Sequence, residues 1–194
     1  ALDVGSTKTC CFIARLGDIK QTNQSSRVSN IRILGIGHNV ADGIRNGAVV
    51  DMEASEVSIR RAVQAAETMA KETIDKVYIN LSGGKPTSHS IGVELAINGH
   101  QIVEADISKV LEQGKNLQIA EDRDLVHLLP VDFSIDGNRG IKDPCGMVGQ
   151  YLTAKMHIVT AASGPKRNLA TVVERCHLGI QNYVVSPYAS GDRK

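Results

Sequence analysis

The sequence predicts an α/β domain interrupted by an inserted α+β unit, and three observations predict it. The outer parts of the chain, 1–84 and 163–194, read in the order strand, strand, strand, helix, strand, then helix, strand. Alternation of this kind points to helices packed on a sheet with parallel members. The two helical stretches carry apolar stripes at a period of 3.6 residues. The middle, 85–162, is set off by Gly83-Gly84-Lys85-Pro86 and has its own rhythm of strand, helix, strand, strand. A self-contained unit of about 80 residues is tolerated as an insertion where the loop ends lie close together.

The outer elements follow in order. Residues 1–16 read as a hairpin, with a turn at Gly5-Ser6-Thr7-Lys8 and a second apolar run at Cys10-Cys11-Phe12-Ile13-Ala14. Residues 18–30 are polar and predict an exposed loop. Ile31 to His38 is a strand whose Gly35 and Gly37 signal a bend or close packing. Gly43 and Gly47 punctuate the next turn. From Asp51 to about Lys71, Ile59, Val63, Ala66 and Ala70 form one helical stripe, widened by Ala62 and Met69. Asp51, Glu53 and Glu56 sit near its start, where the helix dipole favours acids. Val77 to Ser82 predicts a mostly buried strand.

Within the middle unit, Ser90 to Ile97 reads as a strand and Asn98-Gly99 as a turn. Asp106 is placed to cap a helix carrying Ile107, Val110, Leu111 and Leu117. His127 to Ile135 is a strand in which Pro130 demands an edge or a bulge. Asp136-Gly137 and Asp143-Pro144 mark turns, and Leu152 to Thr160 is a further strand. Ser163-Gly164-Pro165 then opens a second helix with Pro165 at its first position and a stripe of Leu169, Val172, Val173 and Cys176. Gly179 is the expected left-handed stop. Ile180 to Ser186 is a strand, ended by Pro187.

Composition narrows the function. The chain has 194 residues, 42% of them hydrophobic, enough for a sizeable core. A net charge of +1, 3% aromatic residues and no Trp argue against a nucleic-acid surface. No run of 18 apolar residues predicts a membrane span. The four cysteines, Cys10, Cys11, Cys145 and Cys176, form no C-x-x-C pair, which fits a reducing compartment better than a disulfide framework. The histidines do not fall at metal-ligand spacing. Because the chain opens on Ala1 inside a strand, a trimmed or unseen N-terminus is expected.

The chemistry concentrates in Asp3-Val4-Gly5-Ser6-Thr7-Lys8. A short strand ends in a carboxylate, and a tight turn presents backbone N–H groups, two hydroxyls and one cation. Such turns make concave anion sites whose usual occupant is phosphate. Gly5 lets backbone approach closely. Asp3 repels phosphate but suits Mg²⁺ held through water, since Mg²⁺ gives up its waters reluctantly. An ordinary hairpin with a Gly-Ser-Thr turn remains an equal reading on local chemistry alone. Elsewhere Gly146 and Gly149 read as turn glycines, Met147 as a core or interface filler, and His157 as structural. No Ser-His-Asp or Cys-His set stands out, and no carboxylate pair is recognisable.

The opening segment resembles the first phosphate loop of the actin/Hsp70/sugar-kinase superfamily. Further segments narrow the resemblance to the bacterial FtsA cell-division family: Ile44-Arg45-Asn46-Gly47-Ala48-Val49-Val50-Asp51, Tyr78-Ile79-Asn80-Leu81-Ser82-Gly83-Gly84, Asp143-Pro144-Cys145-Gly146-Met147-Val148-Gly149, Met156-His157-Ile158-Val159-Thr160, and 182–191. An arginine is usual in that family where Cys145 stands. The resemblance implies an incomplete actin-like (ribonuclease H-like) domain, with 1–84 and 163–194 as subdomain IA and 85–162 as the inserted, SHS2-like subdomain IC. It implies ATP and Mg²⁺ as cofactors, held by Asp3, Gly5, Ser6, Thr7 and Lys8, with Asp3 on the metal through water. It further implies tethering of FtsZ filaments to the cytoplasmic face of the cell membrane at the septum, and self-association into filaments. The inserted unit is expected to recruit late division proteins, with Gly146, Met147, Val148 and Gly149 as an interaction surface.

On this reading the chain is the first half of the protein: the full-length protein is expected to be at most a weak ATPase, this chain alone to be inactive, and its ATP binding to be weak or undetectable. The FtsZ-binding lobe and a C-terminal amphipathic membrane helix are expected outside it. The competing readings are a sugar kinase or Hsp70-type ATPase of the same superfamily, or a pilus-assembly actin relative.

Overall fold

The computed structural model describes residues 1–17, 31–116 and 119–186. The expected loop at 18–30, Leu117, Pro187 and the last residues of the 182–191 segment lie outside the described residues. The chain divides into two compact units, Ala1–Gly84 with Gly164 onward, and Lys85–Ser163.

The first unit holds a five-stranded sheet. Its strands are β1 (Leu2–Val4), β2 (Lys8–Leu16), β3 (Ile31–Val40), β6 (Lys76–Leu81) and β11 (Gly179–Val185), in the order β11-β6-β1-β2-β3. β11, β6 and β1 run parallel, while β1-β2-β3 is an antiparallel meander. The two parallel joins each need a crossover, and the crossovers carry helix α1 (Met52–Ala70) and helix α3 (Ser163–Arg175). This is an incomplete actin-like α/β domain.

Sequence explains the packing of α1. Asp51 is extended at φ −140° and its carboxylate accepts the Ala54 N–H at 3.0 Å, a side-chain cap. Ile59, Ala62, Val63 and Ala66 are buried as the stripe requires. Gly35 and Gly37 let the helix lie directly on β3, because a Cβ at either would collide with the Ala66 or Ala62 carbonyl oxygen. Met69 does not widen the buried stripe. It is 61% exposed, and its sulfur accepts the outward N–H of Ile36 at 3.3 Å.

Several expectations are corrected. The strand at Val77–Leu81 is buried on one face only: Val77, Ile79 and Leu81 are buried while Tyr78 is 52% exposed. Strict alternation decides its burial, not its apolar content. Gly179 is not the stop of α3. His177 takes the left-handed conformation at φ 61°, with its N–H on Glu174 O and the Leu178 N–H on Val173 O. That is a Schellman closure with histidine in the glycine position. Gly179 instead opens β11 and donates to Asp75 O at 2.7 Å. Pro165 is the third residue of α3, still among the N–H groups that have no partner within the helix. A small hairpin, β4 (Ile44–Arg45) and β5 (Ala48–Val49), turns at Asn46-Gly47 with φ 51° and 71°.

The second unit is a four-stranded antiparallel sheet in the order β7-β10-β8-β9, from β7 (Thr87–Ala96), β8 (Arg123–Ile135), β9 (Asn138–Ile141) and β10 (Tyr151–Ala162), with helix α2 (Glu104–Lys115) on it. Short β9 adds to the expected strand, helix, strand, strand. Ile97, Ile102, Val110, Phe133, Leu152 and Met156 form the core. Pro130 sits at a bulge, since Lys155 pairs with Asp132 and Met156 with Pro130. Asp106 does not cap α2 from outside; Val103 is the cap residue. Asp106 lies in the first turn and reaches back, accepting the Val103 N–H at 3.1 Å and meeting His100 Nε2 at 3.0 Å. These bonds, the backbone one foremost, hold its carboxyl below the usual carboxylate range.

Candidate phosphate and metal site

The carboxyl ends of the parallel strands β1, β6 and β11 lie side by side, the place where open α/β sheets take ligands. Each end supplies a polar residue. Asp3 pairs in register with Asn80, and Asn80 with Val184, two residues before Ser186. Asp3, Asn80 and Val184 therefore share one sheet face, opposite the face that buries Leu2, Ile79, Leu81 and Val185, and Ser186 follows directly after the strand. Asp3 also pairs with Cys10, so Lys8, two residues back along β2, belongs to that same face.

The turn residues are accessible. Ser6, Thr7 and Lys8 are exposed, while Asp3 and Gly5 are half-buried. Gly5 serves the turn itself. Its N–H donates to Lys8 O at 3.0 Å, and a Cβ there would stand 3.0 Å from the same oxygen. That N–H is therefore spent within the hairpin and is not among the N–H groups the turn can present to an anion. Thr7 O accepts the Ala41 N–H at 3.0 Å, and Ser6 Oγ accepts the Gly47 N–H at 2.9 Å. Gly47 and Gly83 pack backbone on backbone, with no room for a Cβ on either. Ser82 Oγ donates to Val4 O at 3.1 Å. The turn is thus braced from the β4-β5 hairpin and from the end of β6.

Asp3 is braced too. Asn80 Nδ2 donates to Asp3 Oδ1 at 2.8 Å, and Ser186 Oγ donates to Asn80 Oδ1 at 3.1 Å. The sequence motif singles out Asp3, Gly5, Ser6, Thr7 and Lys8 but gives no role to Asn80, Ser82, Ser186, Gly47 or Gly83. The available signal is a pair of polar residues, Asn80 and Ser82, at alternate positions of an otherwise apolar strand.

The donor set fits a magnesium–phosphate ligand. A carboxylate oxygen suits a hard cation, and hydroxyls with one ammonium suit phosphate oxygens. Among the described residues no cluster of three or more His, Cys, Asp or Glu is placed to hold a metal by itself.

The other expected surface, Gly146 to Gly149, lies in the second unit. Gly146 is left-handed at φ 85°, as a turn glycine should be. Gly149 is not; it is needed because a Cβ there would strike the Ile135 side chain. Met147 and Val148 are 42% and 65% exposed. Their backbone pairs with 101–102: the Ile102 N–H bonds Met147 O at 2.8 Å, and Gln101 bridges Val148. Among the described residues no helix is long and apolar enough to cross a membrane.

Comparison with known proteins agrees with this architecture. The family described as "SHS2 domain inserted in FTSA" matches residues 83–160. The chain is 39% identical over 191 residues to the cell division protein FtsA of Rhizobium meliloti, covering 98% of this chain and 43% of the relative. It is 38% identical over 191 residues to FtsA of Agrobacterium fabrum, with the same coverage, and 30% identical over 190 residues to FtsA of Escherichia coli, covering 97% and 43%. It spans less than half the length of these relatives. Among solved structures, a chain of a PilM-PilN type IV pilus biogenesis complex shares the fold at a TM-score of 0.60 and 11% identity, over 97% of this chain and 47% of that one.

Proposed function

We propose that the chain, similar over nearly its whole length to FtsA cell-division proteins, belongs to that family and supplies one wall of an ATP site in an actin-like division protein. The observation that carries this reading is the convergence of Asp3, Lys8 and Asn80 on one sheet face beside the exposed Ser6-Thr7 turn, at the ends of parallel strands. In that wall Lys8 and the turn at Ser6 and Thr7 take phosphate oxygens, Gly5 keeps the turn tight, and Asp3 takes hydrated Mg²⁺. When bound, Mg²⁺ neutralises phosphate charge; the chain's own residues bind and orient.

The same similarity supports the wider role. The intact protein links FtsZ filaments to the membrane at the inner face of the septum, associates into filaments and recruits further division proteins. The inserted unit serves contact rather than chemistry, with the exposed Met147 and Val148 on its partner surface. Removing 85–162 leaves the outer α/β region able to fold and abolishes filament contacts.

Calorimetric titration with Mg-ATP tests the site. The intact protein binds with an affinity that Lys8→Ala lowers about tenfold or more, the effect of removing one charge-assisted hydrogen bond. The 194-residue chain alone binds weakly or undetectably. Micromolar affinity in the isolated chain, or full affinity in the Lys8→Ala protein, refutes the reading.

A further inference from the structure

Asn80 does two things at once. Its amide nitrogen donates to Asp3 Oδ1 at 2.8 Å, and its amide oxygen accepts from Ser186 Oγ at 3.1 Å. The network itself fixes which end is which, since a flipped amide would set oxygen against a carboxylate oxygen. The three side chains come from β1, β6 and the residue that follows β11, so a residue 77 positions away from Asp3 and another 106 beyond Asn80 meet there. Packing does not require this arrangement, because the core face of the same strands is filled by Leu2, Ile79, Leu81 and Val185. A carboxylate that takes a hydrated cation depends on the orientation of its oxygens. Groups that hold a ligating carboxylate typically set metal affinity by about 10–100-fold.

Resting on the phosphate and Mg²⁺ reading above, we infer that Asn80 is a positioning residue that holds the Asp3 carboxylate in the orientation that receives the hydrated Mg²⁺ of a bound nucleotide, with Ser186 locking Asn80 in turn. Asn80 touches neither phosphate nor metal. It acts through Asp3, and its contribution therefore exists only when the cation is present.

The test measures the affinity of the intact protein for ATP by displacement of a fluorescent analogue, once in Mg²⁺ and once in EDTA. Asn80→Ala is expected to lower affinity in Mg²⁺ about tenfold and to leave affinity in EDTA unchanged. Asn80→Asp, which sets carboxylate against carboxylate, loses the Mg²⁺ effect equally, and Ser186→Ala loses part of it. Wild-type enhancement by Mg²⁺ in Asn80→Ala and Ser186→Ala overturns the inference. So does an equal loss in Mg²⁺ and EDTA, the mark of a merely structural residue. Should Asn80→Ala not fold by circular dichroism, Ser186→Ala decides by the same two criteria. Lys8→Ala and Asp3→Ala separate the two levels. An unchanged affinity in Lys8→Ala sinks the phosphate reading. Loss of the Mg²⁺ effect in Asp3→Ala but not in Asn80→Ala sinks only the positioning role.

Discussion

The hydroxyl of Ser6 accepts the backbone N–H of Gly47 at 2.9 Å and so joins the exposed turn after β1 to the β4-β5 hairpin, 41 residues further on. The bond is exposed, and exposed hydrogen bonds contribute modestly. Ser6→Ala is expected to cost about 0.5–1.5 kcal/mol. Gly47→Ala is expected to cost more, about 2–4 kcal/mol, since φ 71° strains an alanine and its Cβ enters the Gly83 backbone. Urea unfolding of the two variants checks the order. A Gly47→Ala protein as stable as wild type would contradict the close packing.

Gly37 makes a parallel case inside the first unit. An alanine there has no strained φ to suffer, so its whole cost is steric, against the Ala62 carbonyl on α1. Gly37→Ala is expected to destabilise by about 1–3 kcal/mol. A fluorescence or circular dichroism melt reads it directly, and a neutral effect would mean that α1 does not lie on β3.

Thiol chemistry distinguishes the four cysteines. All are free, Cys145 is exposed, Cys176 is half-buried, and Cys10 and Cys11 are buried. Burial pushes the Cys11 and Cys176 thiols up. Reaction with a maleimide at pH 7 should label Cys145 first, Cys176 slowly, and Cys10 and Cys11 only on unfolding. The raised thiols also set a pH dependence. The folded state keeps these protons where the unfolded chain releases them, so their contribution is intact below the unfolded value near 8.5 and is lost as pH rises through the folded values. Melting temperatures should fall from about pH 8 to 10, and Cys176→Ser should flatten that fall.

Much of this fold is legible in residue spacing because spacing acts locally. Ile59, Val63 and Ala66 announce the buried face of α1 whatever lies beneath it. Composition favours a left-handed stop at Gly179, whereas the chain needs that residue to begin β11 beside Lys76; His177 tolerates the left-handed turn two residues earlier. Asn46-Gly47 carries a plain hairpin signal, and only the length of β4 and β5, two residues each, hides it. The site is half legible. Asp3 to Lys8 are contiguous and read as one motif. Asn80 and Ser186 become visible only once the register Asp3 to Asn80 is known, and no local pattern encodes pairing across that distance.

Asp106 gives a pH prediction within the inserted unit. Its carboxylate accepts the Val103 N–H and meets His100, and its folded pKa is depressed. A depressed acid contributes stability above its unfolded value, near 3.9, and loses it as pH falls through the folded value. Asp106→Ala should therefore lower the melting temperature at pH 7, and the gap to wild type should close at about pH 2. A gap that persists in acid would show that the residue acts by packing alone.

Arg123 closes the inserted unit at its base. Its Nε donates to Thr160 Oγ1 at 2.9 Å, and Nη2 lies within reach of Thr160 O at 2.9 Å, Thr87 Oγ1 at 2.8 Å and Lys85 O at 2.9 Å. One guanidinium thus ties the first residues of the unit to the C-terminal end of β10, while Ser163 Oγ donates to Asp124 Oδ1 at 2.6 Å beside it. The planar fork makes this possible, and a lysine ammonium, a compact charge, does not reproduce it. Arg123→Ala is expected to cost about 2–3 kcal/mol, two to three charge-assisted bonds discounted for partial exposure. Arg123→Lys should recover less than half of that. Hydrogen exchange locates the effect: amides of Thr87 to Ser90 and their partners His157 to Thr160 should exchange faster in the variant, while those of β1 and β6 keep their wild-type rates. Uniform acceleration across both sheets would show instead that the residue supports the whole chain and not this one unit.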